Sequence, residues 1–145
     1  MPTRPVSQVV SRRSFLKAPG TTSAAEAARM MREQHKSTVT VVNATGRVEG
    51  ICSERDLVQK VMAAGRDPAI TLLAEIMTPN PQTIPADKPF CHALHIMFDG
   101  GFRHLPVVDE AGRPIGIVSV RDALGLEMIQ FGHEMEQRDT LTEIL

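Results

Sequence analysis

The amino-acid sequence predicts an α/β fold in which two copies of one helix–hairpin–helix unit form a single module. Residues 21–57 align without a gap onto residues 87–123, and 11 of the 37 aligned pairs are identical. Within each copy, the apolar residues are first spaced as in a helix and then gathered in short β-branched runs. With 145 residues, 42% of them hydrophobic, the chain is long enough to bury a core without disulfides.

Each copy begins with an amphipathic helix and continues into a β-hairpin. Phe90, Leu94 and Met97 recur at helical spacing, and the two copies predict helices over residues 24–34 and 90–99. A turn around Gly46 or Gly112 then joins two short strands, predicted at residues 39–42 and 48–52 in the first copy and at 105–108 and 114–118 in the second.

A second helix is predicted after each hairpin. Ser53 and Ser119 stand at its N-terminus, and the helices are expected over residues 54–64 and 120–130. Three prolines between residues 79 and 85 keep the connection between the copies extended, because proline disfavours a helix interior. Residues 6–10 also match residues 73–77 after a shift of one position, so the duplication covers most of the chain. The first 20 residues are interpreted as a basic lead-in strand.

We therefore expect a first motif at residues 6–68, a second at residues 69–128 and a C-terminal helical extension at residues 129–145. The end of the chain carries one apolar stripe at helical spacing, which is typical either of intrachain packing or of a partner surface. This stripe consists of Leu124, Met128, Phe131 and Met135. Thr140 is predicted to cap a last short turn.

The charge distribution and the composition exclude several classes of partner. Residues 1–20 hold four positive charges and residues 126–145 a net of four negative ones, so we expect the two ends to attract each other. Overall, 16 Lys and Arg balance 17 Asp and Glu, and the chain has no Trp or Tyr. Such a chain lacks the basic surface and the stacking aromatics that nucleic-acid binding uses. We therefore expect no nucleic-acid partner.

The sequence also predicts neither export nor membrane insertion. Arg12 and Arg13 resemble part of a twin-arginine signal, but the apolar segment that follows them is too short and too polar. The longest stretch without a charge is 11 residues, whereas a membrane span needs about 18 or more apolar residues. Cys52 and Cys91 form no C-x-x-C motif, which favours a reducing compartment. We expect a cytoplasmic protein.

Both copies contain a Ser-x-x-Asp motif at a strand-to-helix junction, at residues 53–56 and 119–122. One interpretation is a capping box, in which the serine oxygen accepts from free N–H groups and the acid reaches back. The same geometry also offers a phosphate site beside the serine at the positive end of the helix dipole. The aspartate could then accept both hydroxyls of a ribose, while Arg55 or Arg121 supplies positive charge. The residues alone leave both interpretations open.

The two copies together resemble a tandem pair of cystathionine-beta-synthase (CBS) domains, also called a Bateman module. The resemblance covers about residues 6–128 and rests on residues 102–109, residues 116–122, the weaker first copies of both, and the linking residues 75–79. It implies two β-α-β-β-α motifs packed about a pseudo-twofold axis, with clefts between them. It also implies an adenosine-containing ligand such as AMP, ADP, ATP, an NAD-type dinucleotide or S-adenosylmethionine.

The resemblance further implies one site in each half. In the second half, Ser119 would lie near phosphate and Asp122 at the ribose. The backbone of Arg103, His104 and Leu105 would surround the adenine, and Thr83 and Ile84 would line the other wall. The site would also include Arg121 and Pro106. The first site would use Ser53 and Asp56 in the same way, together with Arg55, Lys17, Ala18, Thr38 and Val39. Because Thr40 and Asn43 replace Pro106 and Asp109 in the first half, we expect the second site to match the family better.

The sequence contains no motif that predicts catalysis or a metal site. No nucleophile elbow, H-E-x-x-H, Walker A or G-x-G-x-x-G pattern occurs, so we expect no enzyme. His104 is interpreted either as a ligand contact or as a half-exposed surface residue. Cys91, His92 and His95 lie within one helical turn, but no carboxylate on that helix joins them and Cys91 aligns with an alanine. We expect no metal and no required cofactor.

We therefore expect a regulatory module of signal transduction that binds an adenine nucleotide, NAD or S-adenosylmethionine and has no catalysis of its own. It is expected to form a homodimer and to act on an effector protein. The alternative is an oligomerisation or scaffold module whose clefts bind no ligand.

Overall fold

The structure, a computed structural model, describes residues 4–11 and 13–144, without the side chains of residues 126 and 140–144. Arg12 of the export-like pattern and the side chain of the predicted cap at Thr140 therefore lie outside the described residues.

The first half contains a short helix, three strands and two further helical segments in chain order. These are α1 Val6–Val10, β1 Leu16–Pro19, α2 Ala24–Gln34, β2 Thr38–Val42, β3 Val48–Ser53 and α3 Glu54–Leu57, which continues as a π-helical turn over Val58–Met62. The predicted hairpin and both helices that flank it are confirmed. The lead-in segment differs from the prediction, because α1 precedes the strand and buries Val6, Val9 and Val10.

The second half repeats this order from residue 73 onward. Its elements are α4 Leu73–Ile76, β4 Thr78–Pro79, β5 Ile84–Pro85, α5 Phe90–Gly100, β6 His104–Val108, β7 Pro114–Ser119 and α6 Gly125–Ile144. A single 3-10 turn at Val120–Asp122 separates β7 from α6. The predicted α5 and second hairpin are confirmed. The linker is extended at β4 and β5, but it bends between them at Asn80, whose φ is +46°.

The strands form two sheets that share an arrangement of three strands, and the first sheet has β4 as a fourth strand. The first sheet has the order β1-β2-β3-β4 and the second has the order β5-β6-β7. In each sheet, the first strand is parallel to the second, which pairs antiparallel with the third. Thr38 is paired with Ser53 in one hairpin and His104 with Ser119 in the other, so the 66-residue repeat holds at the level of strand register. The chain therefore has the predicted α/β class with a β-α-β-β-α order in each half.

The two hairpin turns use the same backbone chemistry. Gly46 and Gly112 have φ values of +84° and +81°, a region that glycine enters without steric cost. Asp109 Oδ1 accepts hydrogen bonds from two backbone N–H groups of its turn, and Asn43 Oδ1 does the same in the first half. The substitution of asparagine for aspartate therefore preserves the turn.

The short leading helices pack on the opposite half of the molecule. Val6, Val9 and Val10 of α1 join the core built around Phe90 and the sheet of the second half. Leu73 and Ile76 of α4 join the core around the sheet of the first half. Each repeat thus contributes its first helix to the core of the other repeat, so neither core is made from one continuous segment.

The hairpin turns of the two halves contact each other reciprocally. The Arg47 side chain lies over Gly112, and the Arg113 side chain lies over Gly46. The Val48 N–H donates to the Gly112 carbonyl at 3.0 Å, and Arg113 Nε donates to the Thr45 carbonyl at 3.2 Å. These reciprocal contacts agree with an approximate two-fold relation between the halves.

The helix predicted over residues 120–130 is wrong at its start. The chain leaves helical geometry at Ala123, whose ψ is 132°, and α6 begins only at Gly125. Glu127 explains the new start, because its carboxylate accepts from the Leu124 N–H at 2.9 Å. Arg4 Nη2 donates to that carboxylate at 2.8 Å and to the Asp122 carbonyl at 3.0 Å, which fixes the break. The Arg4–Glu127 pair is also one contact of the predicted kind between the two ends of the chain.

The C-terminal helix α6 lies along α5. Phe131 packs against His95 and Phe98, with ring centroids 4.8 Å and 5.8 Å apart. Arg138 donates to Asp99 at 3.1 Å at the far end of the contact. The predicted stripe is therefore divided: Phe131 packs within the chain, whereas Leu124, Met128 and the neighbouring Ile129 are exposed.

In the described part of the chain, every helix is too short or too polar to cross a bilayer. Cys52 and Cys91 are both buried, and neither forms a disulfide in that part.

Candidate functional site

A cavity of about 180 Å³ lies where elements of both halves meet. The first half contributes the segment that enters β1 and the segment that enters β2, and the second half contributes the end of β7 and the turn after it. The lining residues are Arg13, Ser14, Phe15, Leu16, His35, Lys36, Ser37, Thr38, His104, Ile117, Ser119, Arg121 and Asp122. Four predicted residues of the second site, Ser119, Arg121, Asp122 and His104, are therefore brought together at one cavity.

Ser119 and Asp122 form a capping box at the end of β7. The Ser119 N–H donates to Asp122 Oδ2 at 2.8 Å, and Ser119 Oγ accepts from the Arg121 N–H at 3.1 Å. The capped element is only the three-residue 3-10 turn and not the expected helix. A turn of this length has no substantial macrodipole, so the phosphate attraction expected there has to come from side chains.

Arg13 holds both carboxylate oxygens of Asp122. Its two terminal nitrogens donate to Oδ1 at 2.6 Å and to Oδ2 at 2.9 Å, and the second also donates to the Ile117 carbonyl at 2.8 Å. Burial opposes ionisation of Asp122, but the hydrogen bonds from Arg13 and from the Ser119 backbone lower the pKa of this carboxyl. The same hydrogen bond raises the pKa of Arg13 against the effect of burial. Arg13 was not predicted as a site residue, although the acid-free basic run at the N-terminus contains it.

Ser14, Phe15 and Leu16 line this cavity together with Ser119 and Asp122, whereas Thr83 and Ile84, expected at its other wall, do not. The reason is the packing of α1 on the second half, which carries the segment that follows α1 to the second-half motif. Thr83 instead lines a separate cavity of about 220 Å³ near Arg47 and Gly112. Ile84 is 1% exposed and belongs to the hydrophobic core.

His104 lies at the start of β6 and faces the first half. Its Nε2 lies 3.2 Å from Ser37 Oγ. Burial, followed by the positive charge of Arg121, lowers the pKa of His104 below its ordinary value. Thr38, which was assigned to the first cleft, lines the same cavity as His104. The starts of β2 and β6 therefore lie side by side at one site.

The other predicted residues of the second site do not reach the cavity with their side chains. Leu105 and Pro106 are buried in the second half. Arg103 is exposed, and its carbonyl accepts from the Val120 N–H at 3.2 Å. The predicted role of Arg103 and Leu105 was through the backbone near the adenine, and it stays a prediction, as does the assignment of Pro106 to the site.

The first-half motif has a different environment. The Ser53 N–H donates to Asp56 Oδ2 at 2.9 Å, and the Asp56 N–H donates to Ser53 Oγ at 3.2 Å. Lys60, one turn along the same helix, lies 3.1 Å from Asp56 Oδ1. Neither of the two cavities described above includes Ser53 or Asp56.

The remaining predicted residues of the first site lie on neighbouring strands of the first sheet or just after it, and Thr38 is paired with Ser53. Arg55 and Lys17 are exposed and line neither of the two cavities. Ala18 and Val39 are buried in the core of the first half, where their side chains pack against other apolar groups. Of the predicted first set, only Thr38 lines one of these two cavities.

The inter-half cavity is electropositive. Arg13, Lys36 and Arg121 carry positive charges, and Asp122 is the acid among the described residues that line it. Two positive charges are therefore in excess before the histidines are considered. Such a cavity favours anionic groups, and it has hydroxyl donors at Ser14, Ser37 and Thr38 as well.

An acidic residue that was not predicted lies beside the cluster of Cys91, His92 and His95. Glu134 of α6 is hydrogen-bonded to His95 Nε2 of α5. This contact and the hydrogen bond from Gln130 lower the pKa of Glu134. Within the residues that the structure describes, no three His, Cys, Asp or Glu side chains are placed to share a metal ion.

Comparisons with known proteins agree with this architecture. The family model described as CBS domain matches the chain twice, at residues 6–63 and 73–128. The uncharacterised protein MK0525 of Methanopyrus kandleri is 38% identical over 118 residues, which are 81% of this chain and 60% of that protein. The chain thus spans about three fifths of that relative's length.

Two solved structures share the fold over most of their length. The CBS domain protein PAE2072 from Pyrobaculum aerophilum, complexed with AMP, has a TM-score of 0.80 at 21% identity and covers 89% of this chain and 98% of its own. The CBS domain pair of protein MJ0100, in complex with 5′-methylthioadenosine and S-adenosyl-L-methionine, has a TM-score of 0.75 at 26% identity. It covers 91% of this chain and 98% of its own.

Proposed function

The chain belongs to the CBS domain family, of which it contains two copies, and from this premise we propose that it is a regulatory module that binds an adenosine-containing ligand between its halves. The observation that carries this proposal is the cavity at which Ser119 and Asp122 of the second half face Ser14, Ser37 and Thr38 of the first. Related CBS pairs are complexed with AMP, or with 5′-methylthioadenosine and S-adenosylmethionine, which supports this class of ligand.

Each part of such a ligand has a counterpart in the cavity. The Asp122 carboxylate would accept the ribose hydroxyls, and the serine hydroxyls together with Arg13, Lys36 and Arg121 would hold phosphate oxygens. The starts of β2 and β6 would flank the adenine. All these groups bind and orient the ligand, and the proposed role needs no chemical step.

The proposed mechanism is a shift between two arrangements of the halves. A ligand held by groups from both halves stabilises the arrangement in which those groups lie together. The size of this stabilisation equals the difference between the free energies with which the ligand binds the two arrangements. An effector protein that contacts both halves would respond to this change in their arrangement. We further propose that the protein acts in the cytoplasm as a homodimer, without a required cofactor.

A scaffold or oligomerisation module is the second candidate function. The observation that favours it is the exposed apolar side chains of Leu124, Met128 and Ile129 at the start of α6. In that case the cavity would stay empty and the surface of α6 would carry the function.

The first experiment compares ligand content and ligand-induced stability. Purified native protein is denatured and filtered, and the filtrate is analysed by absorbance at 260 nm and chromatography, which works because the chain has no Trp or Tyr. Thermal unfolding is then measured with AMP, ATP, NAD and S-adenosylmethionine, since a ligand that binds only the folded state raises Tm. A retained adenine compound or a rise in Tm supports the proposal. A clean filtrate with no rise for any of them favours the scaffold.

A matched pair of variants locates the site. Asp122→Asn removes the carboxylate from the cavity and should abolish the rise in Tm. Asp109→Asn makes the same change of charge at a hairpin turn where the first half already has Asn43, so it should leave the rise unchanged. An equal response of both variants would refute the assignment of Asp122.

A further inference from the structure

The Asp122 carboxylate has too few free acceptor positions for a ribose while Arg13 is bound to it. A carboxylate offers about four lone-pair positions on its two oxygens. Oδ1 accepts from Arg13, and Oδ2 accepts from both Arg13 and the Ser119 N–H, so three are used. A ribose diol that donates both hydroxyls needs two. At least one of these three hydrogen bonds must therefore break when a ribose binds at Asp122, and the exposed Arg13 side chain is freer to move than the Ser119 backbone.

A guanidinium that leaves Asp122 keeps the Ile117 carbonyl as an acceptor but has lost its anionic partner, so it needs a new one near the cavity. The Arg13 side chain is 41% exposed, so it is able to turn without disturbing the core. The described lining residues provide no second carboxylate, and Lys36 and Arg121 add positive charge beside it. An anionic group on the ligand would meet this need, because phosphate oxygens accept paired hydrogen bonds from an arginine fork.

The three classes of adenosyl ligand differ in the net charge that they bring to the cavity. ADP carries phosphates that can accept from Arg13 when Asp122 is taken by the ribose. 5′-Methylthioadenosine has no charge to offer. S-adenosylmethionine has one carboxylate, but its sulfonium and ammonium groups make it a net cation in a cavity that already has an excess of positive charge. The ribose and adenine are the same in all three, so the discrimination depends on the group attached at the 5′ position.

We propose that Arg13 is the specificity-determining residue of the inter-half cavity: it covers Asp122 in the free protein and transfers to a phosphate of the bound ligand, so the site selects phosphate-bearing nucleosides over neutral or cationic ones. This rests on the proposed function, because it names the ligand class of the same site. When Arg13 binds the phosphate, it frees the Asp122 carboxylate to accept hydrogen bonds from the ribose.

Calorimetric titration of ADP, 5′-methylthioadenosine and S-adenosylmethionine into the wild-type protein and Arg13→Gln tests the proposal. Wild type should bind ADP about 10-fold or more tightly than either other ligand, the ratio expected of one charge-assisted hydrogen-bonded contact. Arg13→Gln should weaken ADP by about 10-fold and leave 5′-methylthioadenosine unchanged or tighter, because the competitor for Asp122 is gone. A merely structural role of Arg13 would weaken all three ligands alike.

Two controls complete the experiment. Arg29→Gln removes an exposed arginine that is paired with Glu26 far from the cavity, and it should change no affinity. In the wild-type protein, raising the salt concentration should weaken ADP but not 5′-methylthioadenosine, which tests the proposal without any variant.

The outcomes separate this proposal from the proposed function. If 5′-methylthioadenosine or S-adenosylmethionine binds wild type as tightly as ADP, or if Arg13→Gln preserves the wild-type ratio, the role of Arg13 is wrong while the nucleotide-binding function stands. If none of the three ligands binds wild type, the proposed function fails, and the role of Arg13 fails with it.

Discussion

Gly116 lies directly against Val10. A Cβ atom at position 116 would be 2.7 Å from the Val10 Cβ and 2.8 Å from its Cγ1. Val10 ends α1 of the first copy, whereas Gly116 lies in the middle of β7 of the second copy. The absence of a side chain at Gly116 therefore allows the leading helix of one repeat to seat on the sheet of the other.

We predict that Gly116→Ala destabilises the protein by about 1–3 kcal/mol, the usual cost of overpacking a core. Val10 is buried and branched at Cβ, so it has little freedom to move away. Urea unfolding followed by circular dichroism would measure the change in the free energy of unfolding.

The equivalent glycine of the first half is the matched control. A Cβ atom at Gly50 would lie 2.2 Å from Met77 Sδ and 2.8 Å from its Cγ, both in a long and flexible side chain, and 3.1 Å from the Thr78 carbonyl oxygen. Gly50→Ala should therefore cost less than Gly116→Ala. An equal or larger loss at Gly50 would show that the contact with Val10 is not what makes position 116 special.

Glu127 is predicted to be the most sensitive acid of the C-terminal helix. Its side chain is 4% exposed and accepts from Arg4 and from the Leu124 N–H. Glu127→Ala should lower the free energy of unfolding by about 1.5–3 kcal/mol, the range for hydrogen bonds to charged groups. Glu26→Ala, which breaks an exposed pair with Arg29, should change it by less than about 0.5 kcal/mol. Similar losses in both variants would contradict the structural role of the Arg4–Glu127 pair.

The repeated unit could be predicted because its determinants are local. Gly46 and Gly112 fix the turns, β-branched runs mark the hairpins, and the helical spacing of Phe90 and Leu94 marks α5. The start of α6 could not be predicted in the same way. It depends on Arg4, more than 100 positions earlier, which fixes Glu127 and the break before it.

The candidate site was predictable only on the side that one repeat supplies. Ser119, Arg121, Asp122 and His104 lie in or next to the second hairpin, so their proximity follows from strand register. The facing wall depends on where α1 packs. No local sequence pattern indicates that α1 packs on the other half. For that reason Thr83 was expected at the wall where the structure has Ser14, and Arg13 was not predicted as a residue of the site.

His104 is predicted to make stability depend on pH on the acidic side of neutrality. Because its pKa is lowered in the folded protein, the unfolded chain takes up a proton there more readily. The free energy of unfolding should therefore fall as pH drops below about 6.5 and should not change on this account at higher pH. Urea unfolding at pH 7.5 and pH 5.5 would show a smaller difference for His104→Gln than for wild type.

The exposed His92 on α5 provides the control for this measurement. His92→Gln should keep the wild-type difference between the two pH values. If His104→Gln also keeps it, the burial of His104 does not contribute to the pH dependence.

The thiol of Cys52 is predicted to be unreactive in the folded protein. Burial, assisted by the negative charge of Asp56, raises its pKa to about 12. The thiolate, which is the reactive form, should be about 1,000-fold scarcer than for an ordinary cysteine. Ellman's reagent at pH 8 should detect both cysteines only after unfolding, whereas Ala64→Cys should add one thiol that reacts at once. Rapid reaction of Cys52 in the native protein would contradict its burial.

The most direct test of the central claim is to map nucleotide binding by NMR. ADP and AMP are titrated into ¹⁵N-labelled protein, and the amide signals that shift are assigned. The proposed function predicts that the largest shifts occur at residues 13–16, 36–38 and 117–122, on both sides of the inter-half cavity. No shift with either nucleotide, or shifts confined to the second cavity around Thr83 and Gly112, would contradict it.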